Sequence, residues 1–432
     1  VKIEGMPGYP GSDGKACPLC LSGLQKLYGP TAVSSPLKRV GERGQGKWKK
    51  ISWDAAIAEI AEKLGRMRED GRPQGLACIM DRECGTVPAL FQRFLQVYGS
   101  PNFMKTASVD DAYELTLKLM HGVAARPGFD LESADYVLSL GSGILDGWGS
   151  TVRMFRARAR WQENNARVVQ VEPRLSNSAA KADQWIPIEA GTEGVLALGI
   201  AHVIIKEGLY NKAFVDEFGV GFEDWVGKDG KKHDGFKTIV LKHYSPSTVA
   251  GITRVDPDII TETAKAFAAA SYPLALCGRG EGRTPGALHD FMAVHALNAL
   301  VGNVNEKGGV WAVPLPDYVQ WPEAKLDMAA ERGLATDRVD GAGTERYPLA
   351  KSLLTRLPEI INAAEESPVE ALFVSGANPC YTLPDTAVAK AAFSKIPFIV
   401  SFASHMDETA MMADLVLPDH GHLERYEDMP AP

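Results

Sequence analysis

A chain of 432 residues, 45% hydrophobic and 23% charged, is too long for one ordinary domain and is expected to hold two or three packed ones. A net charge of −8 without a basic stripe excludes nucleic acid as an expected partner. Six cysteines over this length exclude a disulfide framework, and apolar runs such as "PFIVSFA" and "ADLVLP" are far too short to cross a bilayer.

No signal peptide opens the chain at Val1, and "ERYEDMPAP" closes it without a helix or strand, so the sequence reads as an internal fragment of a longer polypeptide. Residues 1–50 are rich in Gly, Pro and Lys and read as an irregular wrapping segment. Within them "GKACPLCLSG" sets Cys17 and Cys20 three apart. Two thiolates alone complete neither a zinc site nor an iron–sulfur cluster, each of which usually needs four ligands. In "ISWDAAIAEIAEKLGRMRED", Trp53, Ile57, Ile60, Ala61 and Leu64 recur at helical spacing behind Ser52 as N-cap. "GLACIM" then reads as a buried strand. "VPALFQRFLQVYGSPN" reads as a second helix stopped by Gly99 and Pro101.

From there one device recurs: a short apolar run, a glycine-bearing turn, then a helical pattern. It occupies residues 134–150, 166–183, 272–300, 370–385 and 397–418. Such alternation predicts an α/β fold of doubly wound, mostly parallel sheets covered on both faces. Ligands then sit outside the carboxyl ends of the strands, and the spread of glycine turns predicts two nucleotide-type crevices. Residues 219–237 read as a surface excursion, Thr261–Ala270 as the clearest part of a helix, and 306–347 as a long outer loop.

The chemistry-bearing residues follow those turns. In "LGSGILDG", Gly141, Gly143 and Gly147 would let a backbone approach a pyrophosphate closely, or simply form a tight turn. The next strand ends in Glu172, where a dinucleotide fold holds ribose hydroxyls; with Arg174 it could equally form a surface ion pair. "CGRGEG" repeats the pattern with Gly278, Gly280 and Gly282. Asn378 in "SGANP" is placed to reach a ligand or to make an Asn-Pro turn. Asp407, Glu408 and Thr409 precede a helix they could cap. His420, His422, Glu424 and Asp428 crowd one stretch that reads as a solvated loop rather than a metal site. The fingerprint-like "GSGILDG" also admits a nicotinamide-dependent dehydrogenase. No nucleophile elbow, phosphate-binding Walker loop or zincin motif supports a hydrolase or phosphotransferase.

The order of three segments carries a family resemblance. "CPLCLSGLQKLYGPTAVSSPLKRVGERGQGKWKKISWDAAIAEIAEKL", "ALNALVGNVNEKGGVW" and "ADLVLPDHGHLERYED" resemble the signatures of molybdopterin oxidoreductases of the dimethyl sulfoxide reductase superfamily. The resemblance implies two pterin guanine dinucleotides around one molybdenum or tungsten. One would lie near Gly141, Gly143, Glu172, Arg174 and Thr192, the other near Gly278, Gly280, Asn378 and Asp407. It implies a [4Fe–4S] cluster with Cys17 as its fourth ligand and the other three cysteines upstream of Val1. Cys20 falls where the family has glycine, and Leu19 where it has the lysine between cluster and pterin. The metal ligand position falls in "TASVDDAYELT", where Asp110 is the candidate, then Asp111; the alternative is a plain helix N-cap.

Within the family the chain resembles the molybdopterin-like subunit of menaquinone reductase complexes and the polysulfide, thiosulfate and tetrathionate reductase branch. Two functions follow: a catalytic oxidoreductase subunit, or a degenerate subunit without metal that relays electrons. The implied partners are an iron–sulfur subunit, a membrane anchor and a multihaem cytochrome c, on the periplasmic side of the membrane. The implied domains are residues 1–50, then 51–120 with 271–432, and an inserted 121–270, the family's C-terminal barrel being absent.

Overall fold

The computed structural model describes residues 2–278, 288–316, 320–426 and 428. The chain divides into two units, Pro18–Ala107 with Pro316–Ala431, and Ser108–Leu315 with Glu4–Cys17. In chain order the first unit supplies β1 (Leu37–Arg39), β2 (Trp48–Lys50), β3 (Leu76–Met80) and β4 (Asn102–Lys105). The second holds β5 (Ala125–Phe129), β6 (Tyr136–Leu140), β7 (Arg167–Val171) and β8 (Gln184–Ile186). It continues with β9 (Trp225–Val226), β10 (Lys232–His233), β11 (Pro273–Cys277) and β12 (Val310–Pro314). The first unit resumes with β13 (Ala371–Ser375), β14 (Phe398–Ala403) and β15 (Leu415–Pro418).

In the first unit one sheet runs β2-β1-β15-β14-β13-β3-β4. From β15 to β4 it is parallel, with Ala371 opposite both Leu76 and Phe398. The pleat explains why "GLACIM" shows no polar alternation. Leu76, Cys78 and Met80 join Ala371 and Phe373 under helices on one face. Ala77, Ile79, Leu372 and Val374 join Leu357, Ile361 and Phe393 on the other. Both faces are dry, so every residue is apolar; each fully buried large side chain contributes roughly 1.5–3 kcal/mol. The helix Trp53–Glu69 starts where Ser52 Oγ accepts the Ala55 N–H at 3.1 Å. The helix Thr86–Tyr98 stops at Gly99, whose φ of 104° is left-handed. A Cβ there would also lie 2.7 Å from Ala330 Cα, so turn and packing both require glycine.

In the second unit the parallel sheet runs β11-β6-β7-β8. Met154, Ala157 and Trp161 of the helix Thr151–Glu163 pack on Val137, Val168, Leu274 and Leu276. The helices Glu193–Lys206, Pro257–Ala269 and Leu288–Leu300 cover Leu138, Leu140, Val169 and Val171 on the opposite face. Both units are therefore doubly wound.

Three segments differ from expectation. Residues 1–50 hold the helix Pro18–Leu27 and the strands β1 and β2, which extend the first sheet antiparallel to β15, Leu37 facing Val416. Strands of three residues leave no periodicity to read. Residues 306–347 hold β12 and the helix Met328–Leu334; β12 pairs antiparallel with β5, whose Pro127 and Gly128 hide a strand. The second unit takes in Ser108–Leu315 rather than 121–270. Strand β11 pairs with β6 along its full length. Tyr113, on the helix Val109–His121, stacks edge-to-face with Phe291 at 4.7 Å.

Candidate functional site

In the second unit the chain winds from β6 to β7 to β8 in one direction, while β11 lies on the other side of β6. The helices that follow β6 and β11, Thr151–Glu163 and Leu288–Leu300, pack on opposite faces of the sheet, the kind of reversal at which an α/β sheet places a ligand at the carboxyl ends of its strands. Gly141 follows β6 directly with φ 70°, and its N–H donates to Val171 O at 2.8 Å. A Cβ at Gly147 or Gly149 would meet nothing within 4 Å, so the rim of this loop is open. Gln170 Nε2 and Ser139 Oγ both donate to Ser142 O, at 2.8 and 2.9 Å. The hydroxyl of Ser142 and Oε1 of Gln170 are buried and have no partner among the described residues. Buried polar atoms are nearly always satisfied, so these two mark a place where a polar ligand would fit.

The loop is tied down by Asp146, whose carboxylate accepts Asn177 Nδ2 and Ser178 N at 2.9 Å and Ser178 Oγ at 2.6 Å. Burial opposes ionisation, but the Ser178 and Asn177 donors outweigh it and hold the carboxyl below its ordinary range. Glu172 at the end of β7 is buried and accepts from the Ser176 hydroxyl. Ser176 Oγ in turn accepts Ala179 N at 3.1 Å. Arg174 is exposed, and Glu172 takes the Ser176 hydroxyl as a partner. The Thr192 hydroxyl donates to Glu189 O at 2.7 Å where the helix Glu193–Lys206 begins. Gly278, φ 108°, follows β11, while Gly280 and Gly282 lie outside the described residues.

Sequence reasoning missed two carboxylates here. Glu193 is 6% exposed, and its Oε1 would lie 3.5 Å from a Cβ on Gly141. Asp290 packs against Gly194, and its carboxyl is pushed up by burial and by the Glu193 charge. The available signal was a single acid opening each of two nearly all-apolar helices, "EGVLALGIAHVIIK" and "LHDFMAVHALNAL".

The first unit has its own reversal, between β3, which leads to β4, and β13, which leads to β14 and β15. Past β13, Asn378 Oδ1 accepts Thr409 Oγ1 at 2.7 Å and Thr409 N at 3.2 Å, and its Nδ2 donates to Glu408 at 2.7 Å. Asn378 thus buckles the loops after β13 and β14, and its hydrogen bond holds the Glu408 carboxyl low. Asp407 Oδ1 accepts Ala410 N at 2.7 Å, and burial pushes its carboxyl up. Past β3, burial would raise Glu83, but Lys105 at 3.4 Å and Lys351 at 3.1 Å outweigh it and hold the carboxyl low.

The remaining candidates sit at helix starts and loops. Asp111 Oδ2 accepts Ser108 N at 3.0 Å, and Ser108 Oγ accepts Asp110 N at 3.2 Å, forming a capping box. Asp110 is exposed on the first turn. Cys17 is half-buried just before the helix Pro18–Leu27, and Cys20 is exposed on it. His420 and His422 are exposed in a loop, whereas Asp428 caps the helix Thr86–Tyr98 by accepting Thr86 N at 3.0 and 3.1 Å.

Comparison with known proteins gives the family and the fold. The family model described as molybdopterin oxidoreductase matches residues 33–429. The chain is 32% identical to the menaquinone reductase, molybdopterin-binding-like subunit of Nitratidesulfovibrio vulgaris, covering 100% of this chain and 56% of that protein. It is 28% identical to the arsenate respiratory reductase molybdopterin-containing subunit ArrA of Shewanella sp., covering 98% and 53%. It is 27% identical to the thiosulfate reductase molybdopterin-containing subunit PhsA of Salmonella typhimurium, covering 99% and 56%. The chain spans about half the length of these curated relatives. The solved structure of acetylene hydratase from Pelobacter acetylenicus shares the fold, with a TM-score of 0.78 over 96% of this chain and 58% of that one, at 24% identity.

Proposed function

The chain belongs to the molybdopterin oxidoreductase family, and from that premise we propose that it is the large subunit of a respiratory electron-transfer complex. Two pterin guanine dinucleotides would be held around one molybdenum or tungsten. Gly141, Gly143, Glu172, Arg174 and Thr192 would hold one; Gly278, Asn378 and Asp407 would hold the other, with Gly280 outside the described residues. The observation that carries the reading is the pair of doubly wound sheets, each with a reversal of winding flanked by strand-end turns.

When bound, the metal–pterin group supplies two-electron redox chemistry. The chain's own residues bind and orient. Around Gly141 the tight turn and the buried Ser142 hydroxyl offer polar groups to a nucleotide. The Asn378–Thr409 buckle fixes the loops beside the second nucleotide. Asp110, an exposed carboxylate on a helix start, is the candidate metal ligand. Cys17 would be one ligand of a [4Fe–4S] cluster, which would supply one-electron transfer, and the subunit's partners would be an iron–sulfur subunit and a membrane anchor or multihaem cytochrome c, linked to the quinone pool. The complex would lie on the periplasmic face of the membrane.

One observation favours a second reading, a metal-free relay subunit. The Ser108–Asp111 capping box accounts for "SVDD" with no metal required. Metal analysis of the purified protein, with Asp110→Asn beside it, tests the choice. About one molybdenum or tungsten per chain, lost in the variant while its melting is unchanged, supports ligation by Asp110. Metal absent from a folded protein supports the relay.

A further inference from the structure

Of the cysteine pair in "GKACPLCLSG", Cys20 has no part in holding pterin or cluster. The chain sets it three residues after Cys17, with Pro18 at the first position of the helix Pro18–Leu27. Proline suits that position, since its fixed φ is helical and the N–H it lacks would find no acceptor within the helix. Cys17 is thus the residue that precedes the helix, and Cys20 stands in its first turn. Three peptide bonds separate the two, so local backbone alone sets their spacing. Cα atoms three residues apart at a helix start lie about 5 Å from each other. A disulfide spans about 4.4–6.8 Å between Cα atoms.

The first turn is also open. The helix buries none of its residues, Leu19 is 83% exposed, Cys20 is exposed and Cys17 half-buried. A metal ion alone does not account for the pair. Among the described residues neither cysteine belongs to a trio of His, Cys, Asp or Glu ligand atoms within reach of one ion, and a structural zinc site takes four ligands. Other cysteines of the chain stand in contrast. Cys78, Cys277 and Cys380 are buried, and burial pushes the Cys380 thiol up to about 11, the setting of an inert thiol.

We propose that Cys17 and Cys20 form a dithiol–disulfide couple that exchanges with a small-molecule disulfide, RSSR. A C-x-x-C pair at the head of a helix is the form in which proteins perform thiol–disulfide exchange. The Cys20 sulfur attacks one sulfur of RSSR and gives up its proton. The S–S bond breaks, one RS− leaves and takes that proton, and a Cys20–S–SR mixed disulfide forms. Cys17 then attacks Cys20 Sγ, the second RS− leaves with the Cys17 proton, and the Cys17–Cys20 bond closes. In net, the two thiols lose two electrons and RSSR is reduced to two RSH. Exposure sets the order, since access decides which sulfur meets the substrate first. A Cys17 sulfur held in the closed disulfide has no thiolate to offer a cluster, so the two uses of Cys17 exclude each other.

The test equilibrates the full chain with glutathione and glutathione disulfide over a range of ratios and blocks the remaining thiols with iodoacetamide. The tryptic peptide of residues 16–26, which holds both cysteines, is then weighed. In reduced glutathione it is expected to carry two blocking groups. In glutathione disulfide it is expected to lose both and to weigh two hydrogens less than the dithiol peptide, and dithiothreitol is expected to restore the first state. Cys17→Ser is expected to hold one glutathione per chain on Cys20, because no second thiol resolves it. Cys20→Ser is expected to take up glutathione at Cys17 more slowly than Cys17→Ser does at Cys20. A wild-type peptide that keeps both blocking groups in excess glutathione disulfide overturns the proposal. So does glutathione accumulating on the wild type in place of the internal bond, or a bond that joins two chains. A Cys17→Ser variant that holds no glutathione, or equal or faster uptake by Cys20→Ser, overturns it as well.

Discussion

Replacing His295 by glutamine should flatten the acid limb of stability in the second unit. His295 Nε2 lies 2.6 Å from His121 Nε2, with the rings edge to face. A hydrogen bond between two imidazoles needs one N–H and one lone pair, so at least one ring is neutral, and burial makes the enclosed His295 that ring. His295 is 3% exposed, and burial, with His121 beside it, pushes its pKa from 6.5 down to about 3. Above pH 6.5 the folded and unfolded chains hold the same proton count at this residue, and it contributes nothing to the slope. Between 6.5 and about 3 the unfolded chain takes a proton that the folded one refuses, and stability falls about 1.4 kcal/mol per pH unit. By pH 4.5 the wild type should therefore have lost about 2–3 kcal/mol from this source, while His295→Gln loses none of it. Urea titrations at successive pH values, read by hydrogen exchange in peptides covering 288–300, measure the difference. Parallel pH curves for the two proteins would refute the reasoning, as would a wild type that gains stability on acidification.

Other substitutions probe single contacts. Asn378→Ala strips the fully buried Thr409 of its acceptor and should cost about 1–3 kcal/mol in a urea melt. Gly141→Ala forces a side chain onto φ 70° and should cost about 1–2 kcal/mol, the nearest atom, Glu193 Oε1 at 3.5 Å, being in ordinary contact. Asp111→Ala removes half of the capping box and should cost about 0.5–2 kcal/mol, whereas Asp110→Asn should leave thermal melting unmoved. Ser52→Ala should cost about 1 kcal/mol, read as a lower midpoint in the same urea melt.

What could be read from residues alone follows from how local the signal is. Ser52, Gly99 and the all-apolar "GLACIM" announce their helix starts, stops and buried strand because cap, left-handed turn and two dry faces each act within a few residues. Strands β1 and β5 were silent, since three exposed-to-half-buried residues, or a Pro-Gly pair, become strands only through a partner far along the chain. The strand-end turns were legible through Gly141 and Asn378. The partners of those residues were not: Glu172 to Ser176 and Asn378 to Thr409 are tertiary choices that composition does not encode. Glu193 and Asp290 escaped for a related reason, each looking like an ordinary first-turn acid until two helices bring them together.

The most direct measurement is the nucleotide released when the purified protein is denatured, identified by mass and counted against chain. Two guanine dinucleotides per chain are the expected result if both strand-end crevices are filled. A folded protein that releases no guanine nucleotide, or a nicotinamide in its place, would contradict the assignment of those crevices.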